Sequence, residues 1–253
     1  MSARIAALFR HPVKGFTPEP LARATLTAGR AFPCDRLFAV EDGPSGFDRA
    51  APAHISKTKF TVLAKIPAVA RIITRYEDDI GVLRAKAGGR EESFALKTQQ
   101  GRAGFAAFVA DMLGEDARGP LRVIEAPGDH RFMDHPEGAV SLINHASLAD
   151  LGAGGGHTLE PLRFRANLYL EGWPAWSEMA LDTARLRIGG AVLQAFKPIV
   201  RCAATHVNPN SAQRDFDTVG ALQQQHGHSF CGLYLTVVEG GDIAVGDAVE
   251  IAP

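Results

Sequence analysis

The sequence predicts a mostly β, α+β protein: an N-terminal β-rich α+β subdomain (1–118) joined to a C-terminal sheet closed into a barrel (119–253), with a cleft between them. Three observations carry this. Short runs of alternating apolar and polar residues, bounded by Gly, Pro, Asp or Asn, recur from end to end. Regular turns between many short strands favour a sheet that closes on itself. Residues 116–120 interrupt the pattern midway and mark the boundary, and 253 residues suffice for one large core or two small ones.

Residues 1–15 read as a strand and the turn His11-Pro12-Val13-Lys14-Gly15. Extended runs at 24–27 and 37–41 flank a turn-rich stretch at 29–35, and 41–52 is a long loop rich in small residues. Alternation at 70–74, 80–85 and 93–96 predicts an antiparallel meander turning at Glu77-Asp78-Asp79 and Gly88-Gly89. Phe105, Phe108, Val109, Met112 and Leu113 then fall at helical spacing as core residues, and Gly114 supplies the stop.

The second half opens with a strand at 121–125, a loop holding His130 and His135, and a strand at 139–143. Asn144 is the N-cap of a helix over 145–151. The glycines of 152–156 follow a helix, not a strand, so they fail the context a nucleotide loop requires. A strand over 162–170 places Arg163, Arg165 and Asn167 on one face. Buried unpaired, such a row costs stability, so it either meets an anion or faces solvent. An apolar strand at 191–196 leads into 197–210, which Pro198 and Pro209 bracket as a loop. A short helix at 216–225 and a hairpin of 230–238 with 243–251 complete the chain.

With 27 basic and 28 acidic residues, net charge −1 and pI 6.8, no global field invites nucleic acid or an anionic membrane. Any anion site must be local. No run approaches the roughly 18 apolar residues of a membrane span, and the run at 5–9 is too short for a signal-peptide core. Cys34, Cys202 and Cys231 are odd in number and widely spaced, which suits a reducing, cytoplasmic setting. They are too few for a plant-type iron–sulfur cluster, which takes four.

Chemistry concentrates at Arg201-Cys202. A thiolate is a soft metal ligand and a nucleophile, and an adjacent cation favours its charged form. His206, in the same loop, is either a proton donor suited to neutral pH or a plain loop residue. Lys14 and Arg36 are either anion clamps or solvated and ion-paired surface groups, Arg36 with Asp35 or Glu41. His226, His228 and Cys231 form a rival zinc set, to which His206 can add a fourth ligand. Against zinc, Cys231 leads an apolar strand, where a thiol behaves as a small hydrophobe.

Lys197-Pro198-Ile199-Val200-Arg201-Cys202, followed by Thr205-His206-Val207-Asn208-Pro209, resembles the Lys-Pro-Cys-x-Arg-Cys and Asp-Pro signature of the MOSC domain. Pro12-Val13-Lys14, Asp35-Arg36, Arg163-Phe164-Arg165-Ala166-Asn167 and Asp242-Ile243-Ala244-Val245-Gly246-Asp247 are similar to further patterns of that family, so the resemblance spans nearly the whole chain. It departs at His11, Gly15, Ile199, His206 and Asn208. The resemblance implies a MOSC-type barrel behind a MOSC-associated N-terminal domain, similar to amidoxime- and N-hydroxylamine-reducing molybdoenzymes. It implies molybdenum cofactor, a phosphorylated pterin dithiolene, with Cys202 as the molybdenum ligand and catalytic residue. Lys14, Gly15, Arg36, Arg165 and Arg201 are then expected at the cofactor, chiefly at its phosphate, and Asn144, Asn167 and Thr205 at its pterin edges, with His206 as the catalytic proton donor. The implied reaction reduces small N-hydroxylated substrates, with electrons from a separate ferredoxin- or flavin-type protein. The alternative is a carrier that passes on sulfur, as a persulfide on Cys202, or the cofactor itself.

Overall fold

The computed structural model describes residues 3–136 and 140–252, so Ala139, the expected start of a strand, lies outside the described residues. The first half contains β1 (Ala3–Arg10), β2 (Glu19–Leu21), β3 (Arg23–Leu26) and β4 (Phe38–Asp42). The meander follows as β5 (Ile73–Glu77), β6 (Val82–Ala87) and β7 (Arg90–Ala95), paired in that order. Its second turn is Gly88-Gly89, both at positive φ, as glycine permits. Thr98 caps α1 (Gln99–Leu113), its hydroxyl accepting from Gly101 N at 3.0 Å, and β8 (Leu121–Glu125) comes next. Phe105 and Phe108 of α1 meet Phe94 of β7 at ring-centroid distances of 5.6 and 5.7 Å, which joins helix and meander in one core.

Next come β9 (Val140–Asn144), α2 (His145–Gly154), β10 (Leu168–Glu171), β11 (Arg185–Ile188) and β12 (Ala191–Val200). Then α3 (Thr218–His226), β13 (Phe230–Glu239), β14 (Gly241–Ala244) and β15 (Ala248–Ala252) end the chain. The order β10-β9-β13-β12-β11-β15-β1 closes through a β1–β10 pairing into a seven-stranded barrel. Alternate side chains fill it: Ile5, Leu142, Leu168, Leu186, Leu193 and Leu235 are all at most 1% exposed. Closure removes the open edges a sheet of this length would otherwise present.

Strand pairing crosses the 118/119 division at β1, β3 and β4, with β3 pairing to β14. The N-terminal strand β1 sits between β10 and β15 of the barrel, and β8 pairs with β4. The cleft wall near residues 11–15 is therefore anchored directly to the barrel by β1.

Three sequence expectations change. Residues 162–170 are not one strand: Pro161 starts a 3-10 turn, Pro161–Phe164, and Arg165 takes φ +55° before β10 begins at Leu168. Arg163, Arg165 and Asn167 consequently point to three different places. The strand expected to stop at 196 runs on through Pro198 to Val200, because register shifts at 195/197 and 198/200 relax the ladder around a residue with no N–H. The predicted hairpin splits at 245–247, so that β14 pairs with β3 while β15 pairs with β11 and β1.

His11 carries a testable consequence for stability. Its ring is fully buried, with Nε2 3.2 Å from the Ala166 carbonyl and Nδ1 unpartnered. Burial, then the Arg36 and Arg165 charges, hold its pKa well below the ordinary value. The unfolded chain therefore binds this proton as pH falls through about 6.5 and the folded chain does not, so acidification destabilises by up to ~1.4 kcal/mol per pH unit. His11→Asn should flatten the fall in melting temperature between about pH 6.5 and 5. An unchanged slope would refute this assignment.

Candidate functional site

A cavity of about 280 Å³ opens where the end of β12 faces the segments around Lys14, Arg36 and Lys57. Cys202 leaves β12 half-buried and starts the 3-10 turn Ala203–His206. Its carbonyl accepts from Thr205 N at 3.0 Å and Thr205 Oγ1 at 2.9 Å, which fixes the loop that presents the thiol. Arg163 braces the same loop from beneath, donating to Thr205 O at 3.2 Å and pairing with Asp215 at 3.0 Å.

Arg201 is buried behind the thiol. Its Nε donates to Cys231 O at 2.8 Å and its Nη1 to Phe164 O at 2.9 Å, while Nη2 is buried with no partner. Gly232 makes this placement possible: at φ +77° a Cβ there would stand 2.3 Å from Leu142 O and 3.2 Å from Arg201 Nη2.

Arg165 also lines the cavity with a buried, unpartnered Nη2. Burial and the neighbouring Arg36 charge push its pKa down to about 10. Arg36, at φ +48°, pairs with the fully buried Asp35 and reaches Arg165 O at 3.4 Å. Two non-glycine residues with left-handed backbones thus meet here, strain of the kind that accompanies functional sites.

Lys14 is only 3% exposed, and its Nζ already donates to Phe132 O at 2.9 Å and Asp134 Oδ1 at 2.5 Å. Desolvation opposes the Asp134 charge, but the ammonium of Lys14, then Lys57 and Arg36, holds its carboxyl well below the ordinary range. Gly15 sits at φ +88°, where a Cβ would press to 2.9 Å from Thr61 O, so packing demands glycine there.

Lys57, which no sequence pattern singled out, reaches the cavity from a short turn, Lys57–Lys59. It shares this cavity with Cys202 and interacts with it electrostatically. Burial works against the Lys57 charge, but Cys202 and Asp134 outweigh it and raise its pKa.

A family model for the MOSC domain matches residues 129–250, and one for the MOSC N-terminal beta barrel domain matches residues 2–118. The chain belongs to the MOSC family. Among solved structures, the YuaD protein from Bacillus subtilis is similar at 14% identity, over 98% of this chain and 94% of that one, with a TM-score of 0.49. YiiM from Geobacillus stearothermophilus is 19% identical over 45% of this chain and 54% of that one, TM-score 0.35. YiiM from Escherichia coli is 18% identical over 45% and 54%, TM-score 0.34. No protein of curated function matches the chain.

MOSC domains are associated with molybdenum cofactor, and their proteins are often molybdenum-cofactor-related enzymes. The residues of this MOSC protein suit such a ligand: one soft thiol and three arginines with buried, unpartnered nitrogens line a single cavity, and two of them, Arg165 and Arg201, make no ion pair among the described residues. Of the residues expected at the cofactor, Lys14, Gly15, Arg36, Arg165, Arg201, Cys202 and Thr205 line the cavity, and Asn144, Asn167 and His206 do not.

Those three are engaged elsewhere in the fold. Asn144 caps α2, accepting from Ala146 N at 3.2 Å, and donates to Pro174 O at 2.8 Å. Asn167 is fully buried between Ser141, Phe9 and Asp35, tying β9 and β1 together. His206 turns to Asp217 at 3.1 Å, away from the cavity lining, and burial outweighs the Asp217 charge to lower its pKa. Thr205 reaches the cavity, but its hydroxyl is spent on the Cys202 carbonyl. The zinc alternative also fails among the described residues: no group of three or more His, Cys, Asp or Glu is placed to share a metal. His226 packs on Trp176 at 4.1 Å, and burial pushes the Cys231 thiol up to about 12. No described helix is long and apolar enough to cross a membrane.

Proposed function

We propose that this MOSC protein is a molybdenum-cofactor oxidoreductase that reduces N-hydroxylated compounds, with electrons delivered by a separate ferredoxin- or flavin-type protein. The observation that carries the reading is the pair of orphaned nitrogens, Arg165 Nη2 and Arg201 Nη2, on two arginines without ion pairs that line the same cavity as Cys202. Buried cationic donors left unpaired are costly, and a phosphorylated ligand relieves that cost. A persulfide carrier needs Cys202 and has no use for such a cradle.

When bound, the cofactor supplies oxygen-atom and two-electron transfer chemistry. The chain's own work is positional. Arg165 and Arg201 bind the phosphate, Arg36 holds Arg165 through its carbonyl, and Lys14 with Asp134 fixes the cavity wall. Cys202 offers its sulfur from a loop that Thr205 and Arg163 keep rigid.

The test is molybdenum and pterin content per chain after expression in a host that makes the cofactor, followed by reduction of N-hydroxylated compounds with an artificial electron donor. Near-stoichiometric metal and pterin are expected. Their absence, or a persulfide on Cys202 in the intact mass, overturns the proposal.

Arg165→Met gives an independent check. It should lower pterin affinity by about 10–100-fold, as loss of a supporting group does at such sites. The same variant should make the ligand-free protein about 1–3 kcal/mol more stable, because a buried unpaired donor is removed while the stem is kept. Chemical denaturation of ligand-free protein reads the second effect, and destabilisation there would mean that Arg165 is already satisfied.

A further inference from the structure

Three of the cations lining the cavity are already neutralised: Lys14 by Asp134, Arg36 by Asp35 and Arg163 by Asp215. Four others, Arg165, Arg201, Lys57 and Lys197, line it with no carboxylate within ion-pair distance among the described residues. A phosphate monoester carries about two negative charges at neutral pH, which matches the two buried guanidinium groups. Lys57 and Lys197 remain. Lys57 interacts with Cys202 and so belongs to the thiol end, while Lys197 lines the cavity from β12, upstream of Cys202. Tyr234, stacked on Phe196 at 6.1 Å, offers a flat wall beside them.

Building on the oxidoreductase reading above, we propose that the thiol end of this cavity selects an anionic substrate, a flat N-hydroxylated compound bearing a carboxylate or phosphate, and that Lys57 reads that charge. The geometry supports the assignment. Lys57 is carried on a 3-10 turn capped by Ser56, with Phe60 N closing on Lys57 O at 3.2 Å, so its backbone is fixed while the residue lines the cavity that Cys202 also lines. A half-buried ammonium beside the reacting position costs desolvation, which an anionic substrate group offsets and a neutral one does not.

The experiment compares benzamidoxime with its para-carboxylate and para-phosphonate forms on protein purified with its metal and pterin, using a reduced viologen as donor. A kcat/KM about tenfold or more in favour of an anionic form is expected, the size of one hydrogen bond to a charged group. The carboxylate and phosphonate arms show which anion is preferred. Lys57→Met should bring the ratio of anionic to neutral kcat/KM close to one, and Lys57→Arg should restore most of it. A native ratio near one overturns the inference and leaves the oxidoreductase reading standing. Pterin loss in Lys57→Met that matches its activity loss also overturns it, since Lys57 would then belong to the cofactor cradle. If the native protein carries no metal or pterin, the oxidoreductase reading fails, and saturation-transfer NMR with benzoate against benzamide judges anion selection by itself. Benzoate binding that Lys57→Met abolishes supports it, and equal binding of the two probes defeats it.

Discussion

Asp35→Ala is expected to destabilise the protein by about 3–5 kcal/mol, the cost of breaking a buried, hydrogen-bonded ion pair from one side. Asp35 is fully buried and holds three elements together. One oxygen accepts from His11 N at 2.5 Å, at the end of β1. The other accepts from Asn167 Nδ2 at 3.1 Å and pairs with Arg36. Asn167 in turn is bound to Ser141 of β9, so the carboxylate links β1, which closes the barrel, to β9 on the far side of β10. Alanine leaves an amide N–H, a carboxamide and a guanidinium without their acceptor, each buried or nearly so.

The expected loss is present without any ligand, because every partner is protein. Denaturation of the metal-free variant measures it, and a loss below about 1 kcal/mol would show that the network is dispensable. Asp35→Asn keeps an acceptor for His11 N but sets an amide against the Arg36 donors, so it should recover only part of the loss.

Much of the fold is legible in the sequence because local rules decide it. Thr98, Asn144 and Gly114 punctuate helices by hydrogen-bonding capacity and backbone freedom, and the structure uses them so. Alternation located the meander and most barrel strands. Periodicity says which face of a strand is buried, not which strand lies beside it. Hence β1, whose Leu8 pairs with Leu168 far along the chain, was readable as a strand but not as the closing stave of the barrel. The same limit hid the β14–β3 pairing.

The site divides along the same line. Arg201-Cys202 and Lys14 were readable because chemistry-bearing residues stand together in short motifs. Lys57 and Asp134 were not, since each reaches Cys202 or Lys14 only through the tertiary fold and neither stands in a recognisable pattern. Arg36 was readable as either clamp or ion pair. It is an ion pair with Asp35 that also supports Arg165, so the guanidinium groups left for an anion are those of Arg165 and Arg201. Pro198 misled because proline's missing donor matters only where the ladder needs it, and the register shifts around β12 remove that need.

Cys202→Ala is expected to reduce turnover of N-hydroxylated substrates by at least about 100-fold, beyond the loss typical of a supporting residue at a metal site. Metal content should fall with it, while pterin is partly retained, because the phosphate donors Arg165 and Arg201 come from other side chains. Stability should change by no more than about 0.5 kcal/mol, as the thiol is half-buried and the loop is held by its carbonyl, which alanine keeps. Cys34→Ala is the control, since Cys34 is also free and half-buried but does not line the cavity. Metal, pterin and turnover measured on both variants then separate the possibilities. Loss confined to Cys202→Ala assigns the sulfur as the metal's protein ligand. Equal metal in both variants removes that assignment and leaves the arginines as an anion site alone. Parallel loss of pterin and metal in Cys202→Ala would mean that the thiol, not the arginine pair, anchors the ligand, and would reverse the order of importance argued from the two orphaned nitrogens.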